Sequence, residues 1–236
     1  MLIATWNLNH RVGCTPYRAD AACAAAAIGA DVLVLTEYFP KEADGQFRED
    51  LRAAGYWMSV SDNRGVRANT VLLASRLRAS KEALDLPDFD DQCRSNLHAI
   101  RLLDPGIVIV GVRVPWYVKE PTKVALAWEW LEQCAARYRS TPAIIAGDLN
   151  TAARRSSRGG DVLLRMLDSG WSRAIPTSGG SFVGKTGQTT EIDHILVSPE
   201  CKIAQARYIA EQNGTLYAGE DGLSDHAVLA AEVSFP

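Results

Sequence analysis

Short apolar runs separated by polar turns constrain this chain more than any other feature. Leu2–Trp6, Asp31–Leu35, Tyr56–Val60, Thr70–Ala74, Leu84–Leu86, Leu97–Leu103, Gly106–Val114, Ala143–Ala146, Ile192–Val197, Ile203–Ile209 and Ala227–Val233 are short, bounded by turn signals and mostly rich in branched side chains. Each is predicted as a strand. Asp104-Pro105-Gly106 carries turn chemistry and makes the two flanking runs a hairpin. Helical spacing occurs in few places. Ala21, Ala24, Ala25 and Ile28 give a narrow apolar face within 18–28, with Gly29 as its stop, while 45–54 and 161–167 predict short helices. Val124, Trp128, Leu131, Ala135 and Tyr138 repeat at helical spacing behind Pro121, which suits a first turn. Runs of strands broken by a few helices predict a two-sheet sandwich with helices on its outer faces. No linker or internal repeat interrupts residues 1–236, so the expectation is one domain.

The charge balance, a net −3, argues against a protein that coats nucleic acid by bulk electrostatics, and leaves room for a local basic rim. Met1-Leu2-Ile3-Ala4 lacks the basic start and apolar core of a leader, and no run is long enough to span a bilayer. The five cysteines (Cys14, Cys23, Cys93, Cys134, Cys201) are odd in number and scattered, without a CxxC pair. They fit buried thiols in a reducing cytoplasm better than disulfides or a zinc site. The expectation is a cytoplasmic, unanchored enzyme with no obligate protein partner.

Several of the apolar runs end on, or lead from, residues with chemistry. Thr5-Trp6-Asn7-Leu8-Asn9, Glu37, Gly147-Asp148-Leu149-Asn150, Ile192-Asp193-His194 and Leu223-Ser224-Asp225-His226 occur in that order. Side chains two apart on a strand share a face, so Asp148 and Asn150 can meet one pocket, as can Asn7 and Asn9. An Asp there can polarise water, and an Asn amide can donate to a phosphoryl oxygen without adding negative charge. A lone Glu at a strand end suits a hard cation such as Mg²⁺, which takes one or two carboxylates plus water and substrate oxygens. His226 can bind a phosphoryl group as imidazolium, with Asp193 as the carboxylate that raises its pKa and fixes its tautomer. Asp225 is then left for the metal. His10, His98 and His194 read as structural. Taken singly, each cluster is as well explained by a turn; their combination is a parts list for metal-assisted phosphoester hydrolysis.

These residues resemble the endonuclease/exonuclease/phosphatase superfamily of Mg²⁺-dependent phosphoesterases. It includes exonuclease III-like apurinic endonucleases, pancreatic-type deoxyribonucleases, inositol polyphosphate 5-phosphatases and neutral sphingomyelinases. Gly-Asp-Leu-Asn, Ile-Asp-His and Ser-Asp-His are the most specific elements, and 69–76, an apolar strand ending in Ser-Arg, is also similar. The resemblance implies an α/β fold: a four-layered α/β sandwich with two packed mixed β-sheets and helices on the outer faces. It implies Glu37 as metal ligand, oriented by Asn7, with Asp225 and Asn9 at or near the metal. Asp148 would activate water or assist the leaving group, Asn150 would hold phosphoryl oxygens, and Asp193 would charge His226. Mg²⁺, with Mn²⁺ as a substitute, would neutralise charge during in-line attack by water.

Two departures stand out. Asn9 lies where the apurinic-endonuclease branch carries an aspartate, which makes the metal site less acidic. Arg113 lies where relatives place a phosphate-contacting His or Tyr; it can bind phosphate but cannot donate a proton. Trp116 and Tyr117 follow, able to stack on a base or to pack. Arg154, Arg155 and Arg158, with Asn69, Arg64 and Arg67 on another side, are candidates for substrate phosphates. Three functions stay open. One is a nuclease acting on nucleic acid, the reading favoured here. Another is a phosphatase or phosphodiesterase of a small or lipid-derived phosphoester, and the third a catalytically silent binding protein.

Overall fold

A computed structural model describes residues 1–10, 20–40, 44–62, 69–87, 89–116, 120–157, 159–184 and 186–235. Cys14, Arg64, Arg67, Tyr117 and Arg158 lie outside these residues. The chain begins β1 (Leu2–Asn7), α1 (Asp20–Ala27), β2 (Val32–Tyr38), α2 (Asp44–Ala53), β3 (Trp57–Val60), β4 (Thr70–Ser75) and β5 (Ala79–Lys81). It continues with α3 (Asp91–Arg94), β6 (Leu97–Leu102), β7 (Val108–Arg113), α4 (Pro121–Arg137), β8 (Ala143–Asp148), α5 (Gly160–Asp168) and β9 (Ser172–Arg173). Short pieces β10 (Phe182–Val183) and β11 (Thr189–Thr190) precede β12 (Asp193–Val197) and β13 (Lys202–Ile209). The last elements are β14 (Glu211–Gln212), β15 (Thr215–Leu216) and β16 (Val228–Ser234).

Two six-stranded sheets form, ordered β13-β16-β1-β2-β4-β3 and β5-β6-β7-β8-β12-β9. Both are mixed. Each has one parallel pair at its centre, β1 with β2 and β7 with β8, flanked by antiparallel neighbours. Strand alternation explains the layers. On β2, Val32 and Val34 face the second sheet, joining Val71 and Leu73 of their own sheet and Ile109, Ile144 and Ile195 of the other. Leu33 and Leu35 point the other way, onto Ala21, Ala25, Phe47 and Leu51 of α1 and α2. The second sheet does the same, sending Val108, Val110 and Ile145 against Trp128, Leu131 and Leu163 of α4 and α5. The result is helix, sheet, sheet, helix, the four-layered sandwich.

One expected strand is absent. Leu84–Leu86 is irregular, and the edge strand beside β6 is instead β5, a polar three-residue piece. Pro87 follows at once and removes a ladder donor, Trp130 Nε1 takes the Asp85 carbonyl at 2.9 Å, and Leu84 and Leu86 pack on the α4 side of the core. Strands β2 and β8 also run further than their apolar cores, through Glu37 and Asp148. Among the described residues no helix is long and apolar enough to cross a membrane.

Candidate active site

The alternation that builds the inter-sheet core also assembles the site. Ile3, Ile109, Ile144, Ala146, Ile195 and Val197 lie between the sheets. Continuing the same parity puts Asn7 at the end of β1, Arg113 at the end of β7, Asp148 at the end of β8 and Asp193 at the start of β12 on one rim. Register then aligns them, Arg113 opposite Asp148 in the parallel pair and Asp148 opposite Asp193 in the antiparallel one.

Glu37 has the wrong parity for this face. A bulge corrects it: the pairing steps from Leu35↔Leu72 to Tyr38↔Thr70, three residues against two. Glu37 itself takes a left-handed φ of 50°. Gly147 is the other backbone device. Its φ is 144°, and a Cβ placed there would sit 1.8 Å from the Val112 carbonyl oxygen, so only glycine lets β7 and β8 approach ahead of Asp148.

Asp148 is fully buried and held by three donors. Asn7 Nδ2 donates to its Oδ2 at 2.9 Å, Asn150 Nδ2 to the same oxygen at 3.2 Å, and the Asn150 backbone N–H to Oδ1 at 2.9 Å. Burial and the facing Asp193 carboxylate push its pKa up from the usual carboxylate range, against the opposing pull of His226 and Arg113. His226 Nδ1 lies 2.7 Å from Asp193 Oδ2. Burial works against an imidazolium there, but Asp193, with help from Asp148 and Asp225, raises His226 to about 9. Asp193 Oδ1 is buried without a hydrogen-bond partner among the described residues. Asp225 is more open and stands 3.9 Å from His226 Nε2.

Glu37 sits in a different electrostatic setting. Arg113 places Nε at 2.8 Å and Nη2 at 2.6 Å from Oε1, while His10 Nε2 is 2.9 Å from Oε2. Burial would raise this carboxyl, but the His10 and Arg113 contacts together hold it at about 2.

Several expected placements change. Asn7 bonds to Asp148 instead of Glu37, and its Oδ1 accepts the Asn9 N–H at 2.8 Å. Asn150 gives Nδ2 to the Val114 carbonyl at 2.8 Å as well as to Asp148, so it positions the carboxylate and must release an acceptor before it can hold a phosphoryl oxygen. Arg113 is engaged with Glu37. His10, read from sequence as structural, belongs to the site; His194 does not, being buried with Nε2 on the Thr151 carbonyl. Asn69 is half-buried before β4, Trp116 is 53% exposed past β7, and Arg154 and Arg155 are exposed after β8.

Ser181 and Phe182 carried no sequence signal, and Ser224 stood in the Ser-Asp-His element without a role assigned to it. Ser181 Oγ accepts the N–H groups of Ile192 and Asp193, and Phe182 bridges to His226 and stacks on it edge-on at 5.3 Å. Ser224 Oγ donates to the Asn7 carbonyl and accepts the His226 N–H, tying the first and last strands together at the site.

Residues 4–226 match the model of the Endonuclease/Exonuclease/phosphatase family. The chain belongs to this family. Its members are phosphoesterase hydrolases, in general dependent on a divalent metal, and this chain is an enzyme of that type. A search of curated proteins found no match. Among solved structures, a 3′ phosphatase, NExo, from Neisseria bound to product DNA hairpin is similar at 21% identity and a TM-score of 0.74, with all of both chains covered. An AP endonuclease from Archaeoglobus fulgidus is similar at 18% identity and a TM-score of 0.70, over 98% of each chain. A mannosyl-6-phosphatase from Bacteroides thetaiotaomicron follows at 16% identity and 0.68, again over the full length of both. At these identities the likeness establishes the shared fold.

The family implies a metal, and the donors available are hard oxygens, Glu37 and Asp225, which suit Mg²⁺ in type. Among the described residues, no three His, Cys, Asp or Glu side chains converge as a preformed metal cluster. Glu37 has both its oxygens engaged by Arg113 and His10. The donor chemistry therefore fits a divalent ion provided Glu37 gives up those contacts.

Proposed function

We propose that this protein is a Mg²⁺-dependent phosphodiester hydrolase and that nucleic acid is its substrate. The observation that carries the reading is the pairing of opposite roles on one rim. Asp148, its pKa raised by burial, faces the Asp193–His226 pair, which keeps an imidazolium at neutral pH. A carboxylate poised near neutrality is suited to take a proton from attacking water. The water oxygen bonds to phosphorus as the bond to the leaving oxygen breaks. His226, charged, stabilises the phosphoryl oxygens, and Asn7 and Asn150 keep Asp148 aimed. Glu37 and Asp225, with Asn9 beside them, would hold the metal, which when bound neutralises charge on the phosphate.

Nucleic acid as substrate is supported by exposed Arg154 and Arg155 on the loop after Asp148, by exposed Trp116, and by the DNA-acting proteins among the structural neighbours. A phosphomonoester is the second reading, supported by the phosphatases among those neighbours. A cytoplasmic setting is supported by the free thiols of Cys23, Cys93, Cys134 and Cys201. Comparing a duplex oligonucleotide, bis-p-nitrophenyl phosphate and p-nitrophenyl phosphate under Mg²⁺ tests the reading. Cleavage of both diesters is expected, and turnover of the monoester alone would replace it with the phosphatase reading.

A further inference from the structure

Glu37 is held by two side chains, Arg113 and His10. A carboxylate offers about four acceptor positions. Two on Oε1 are taken by Arg113 Nε and Nη2, and one on Oε2 by His10. Side-chain exposures of 11% for Glu37 and 13% for Arg113 leave little water to compete with this pair. A divalent ion cannot join Oε1 while a guanidinium holds it, because both are cations seeking the same lone pairs. Arg113 also neighbours Asp148, opposite it in the β7–β8 register, where the scissile phosphate is read to sit. A phosphate is the planar fork's preferred partner, able to take two parallel N–H bonds. His10 is a lesser obstacle, being 44% exposed.

We infer that Arg113 is a latch on Glu37 that the substrate phosphate releases, so that metal and substrate bind with positive cooperativity. The inference rests on the reading of Glu37 as the metal-binding carboxylate. The incoming phosphate draws Arg113 off Oε1 and leaves that oxygen open to a cation. By linkage each ligand then tightens the other by one factor. Without a phosphate the protein holds the ion weakly, because Arg113 already neutralises Glu37 in a nearly dry ion pair and a second cation gains little from joining it. Arg113 is thus a specificity-determining residue: it couples metal loading to the presence of a phosphoester.

Mn²⁺ binding by the intact protein, read by calorimetry and by electron paramagnetic resonance of free Mn²⁺, tests this with dimethyl phosphate as the probe. In the wild type, saturating dimethyl phosphate is expected to raise Mn²⁺ affinity on the order of tenfold. Arg113→Met is expected to bind Mn²⁺ tighter by a similar factor without the probe, and to lose the probe's effect. Arg113→Lys, which keeps the charge without the fork, should fall between. A wild-type affinity unmoved by dimethyl phosphate, or a probe that does not bind, overturns the latch without recourse to any variant. Arg113→Met binding no tighter than wild type, while Glu37→Gln loses Mn²⁺, overturns the latch and leaves the metal reading standing. If Glu37→Gln binds Mn²⁺ as the wild type does, the assignment of Glu37 has failed and the latch falls with it.

Discussion

Replacing Asp193 by Asn probes the electrostatics of the rim at one atom. The side chain keeps its shape, and His226 loses the carboxylate 2.7 Å from Nδ1. Burial favours neutral imidazole at this 7%-exposed side chain, and Asp193 is the main group that reverses it, to about 9. Relative to an ordinary value near 6.5, that is about 3 kcal/mol in favour of the charged form. Without Asp193, His226 should titrate at or below roughly 6.5, so the imidazolium fraction at pH 8 falls from about nine-tenths to roughly one-thirtieth. Activity at pH 8 should therefore fall at least about thirtyfold, with a smaller loss toward pH 6. Asp148 loses a repelling neighbour, so the acid limb of the profile should move down. Stability follows the same linkage. A folded pKa above the unfolded one adds stability that is fully present below about 6.5 and lost as pH rises through about 9. The variant should thus be most destabilised at mildly acidic pH. Histidine ring NMR titration with a pH–rate profile reads both effects. An Asp193→Asn protein in which His226 still titrates near 9 would refute the reasoning.

Gly147→Ala should destabilise by about 2–4 kcal/mol or prevent folding, since a Cβ meets the Val112 carbonyl at 1.8 Å on a φ of 144°; urea denaturation measures it. Glu37, lowered from 4.5 to about 2, contributes stability that is present above pH 4.5 and lost as pH falls toward 2. Glu37→Gln should flatten that part of the stability curve in acid melts. Changing Arg154 and Arg155 together to Ala should lower the salt slope of oligonucleotide cleavage, by about one per lost phosphate contact, and leave bis-p-nitrophenyl phosphate turnover unchanged. Equal effects on both substrates would move the two arginines out of the nucleic-acid interface.

Much of the rim could be read from the chain because alternation is a local rule. Asn7, Asp148 and Asp193 continue the parity of Ile3, Ala146 and Ile195, so once those apolar residues are placed between the sheets, alternation puts the polar ones on the same face. The Asp193–His226 contact was legible from chemical type, a carboxylate and an imidazole at matching strand ends. Glu37 was named from its type, a lone carboxylate at a strand end, but its route to the rim and its partners, like the place of His10, depend on irregular backbone. Glu37 reaches the site only through the β2 bulge, and His10 only through a left-handed turn at φ 55°, and neither shift leaves a periodic trace. Arg113 was placed on the correct strand end, yet its partner was set by where that bulge delivers Glu37. Likewise Leu84–Leu86 has a strand's composition, but Pro87 and the Trp130 bond to Asp85 take it out of the sheet.

The proposed role of Asp148 is that of base in a metal-dependent diester hydrolysis. Its most direct test is kcat/KM for bis-p-nitrophenyl phosphate with Mg²⁺, with excess EDTA, and in Asp148→Asn. The expected result is hydrolysis under Mg²⁺, abolished by EDTA, and reduced on the order of 10²–10⁴-fold by a substitution that keeps the shape and removes the proton acceptor. Hydrolysis that survives in Asp148→Asn at the wild-type rate would contradict it.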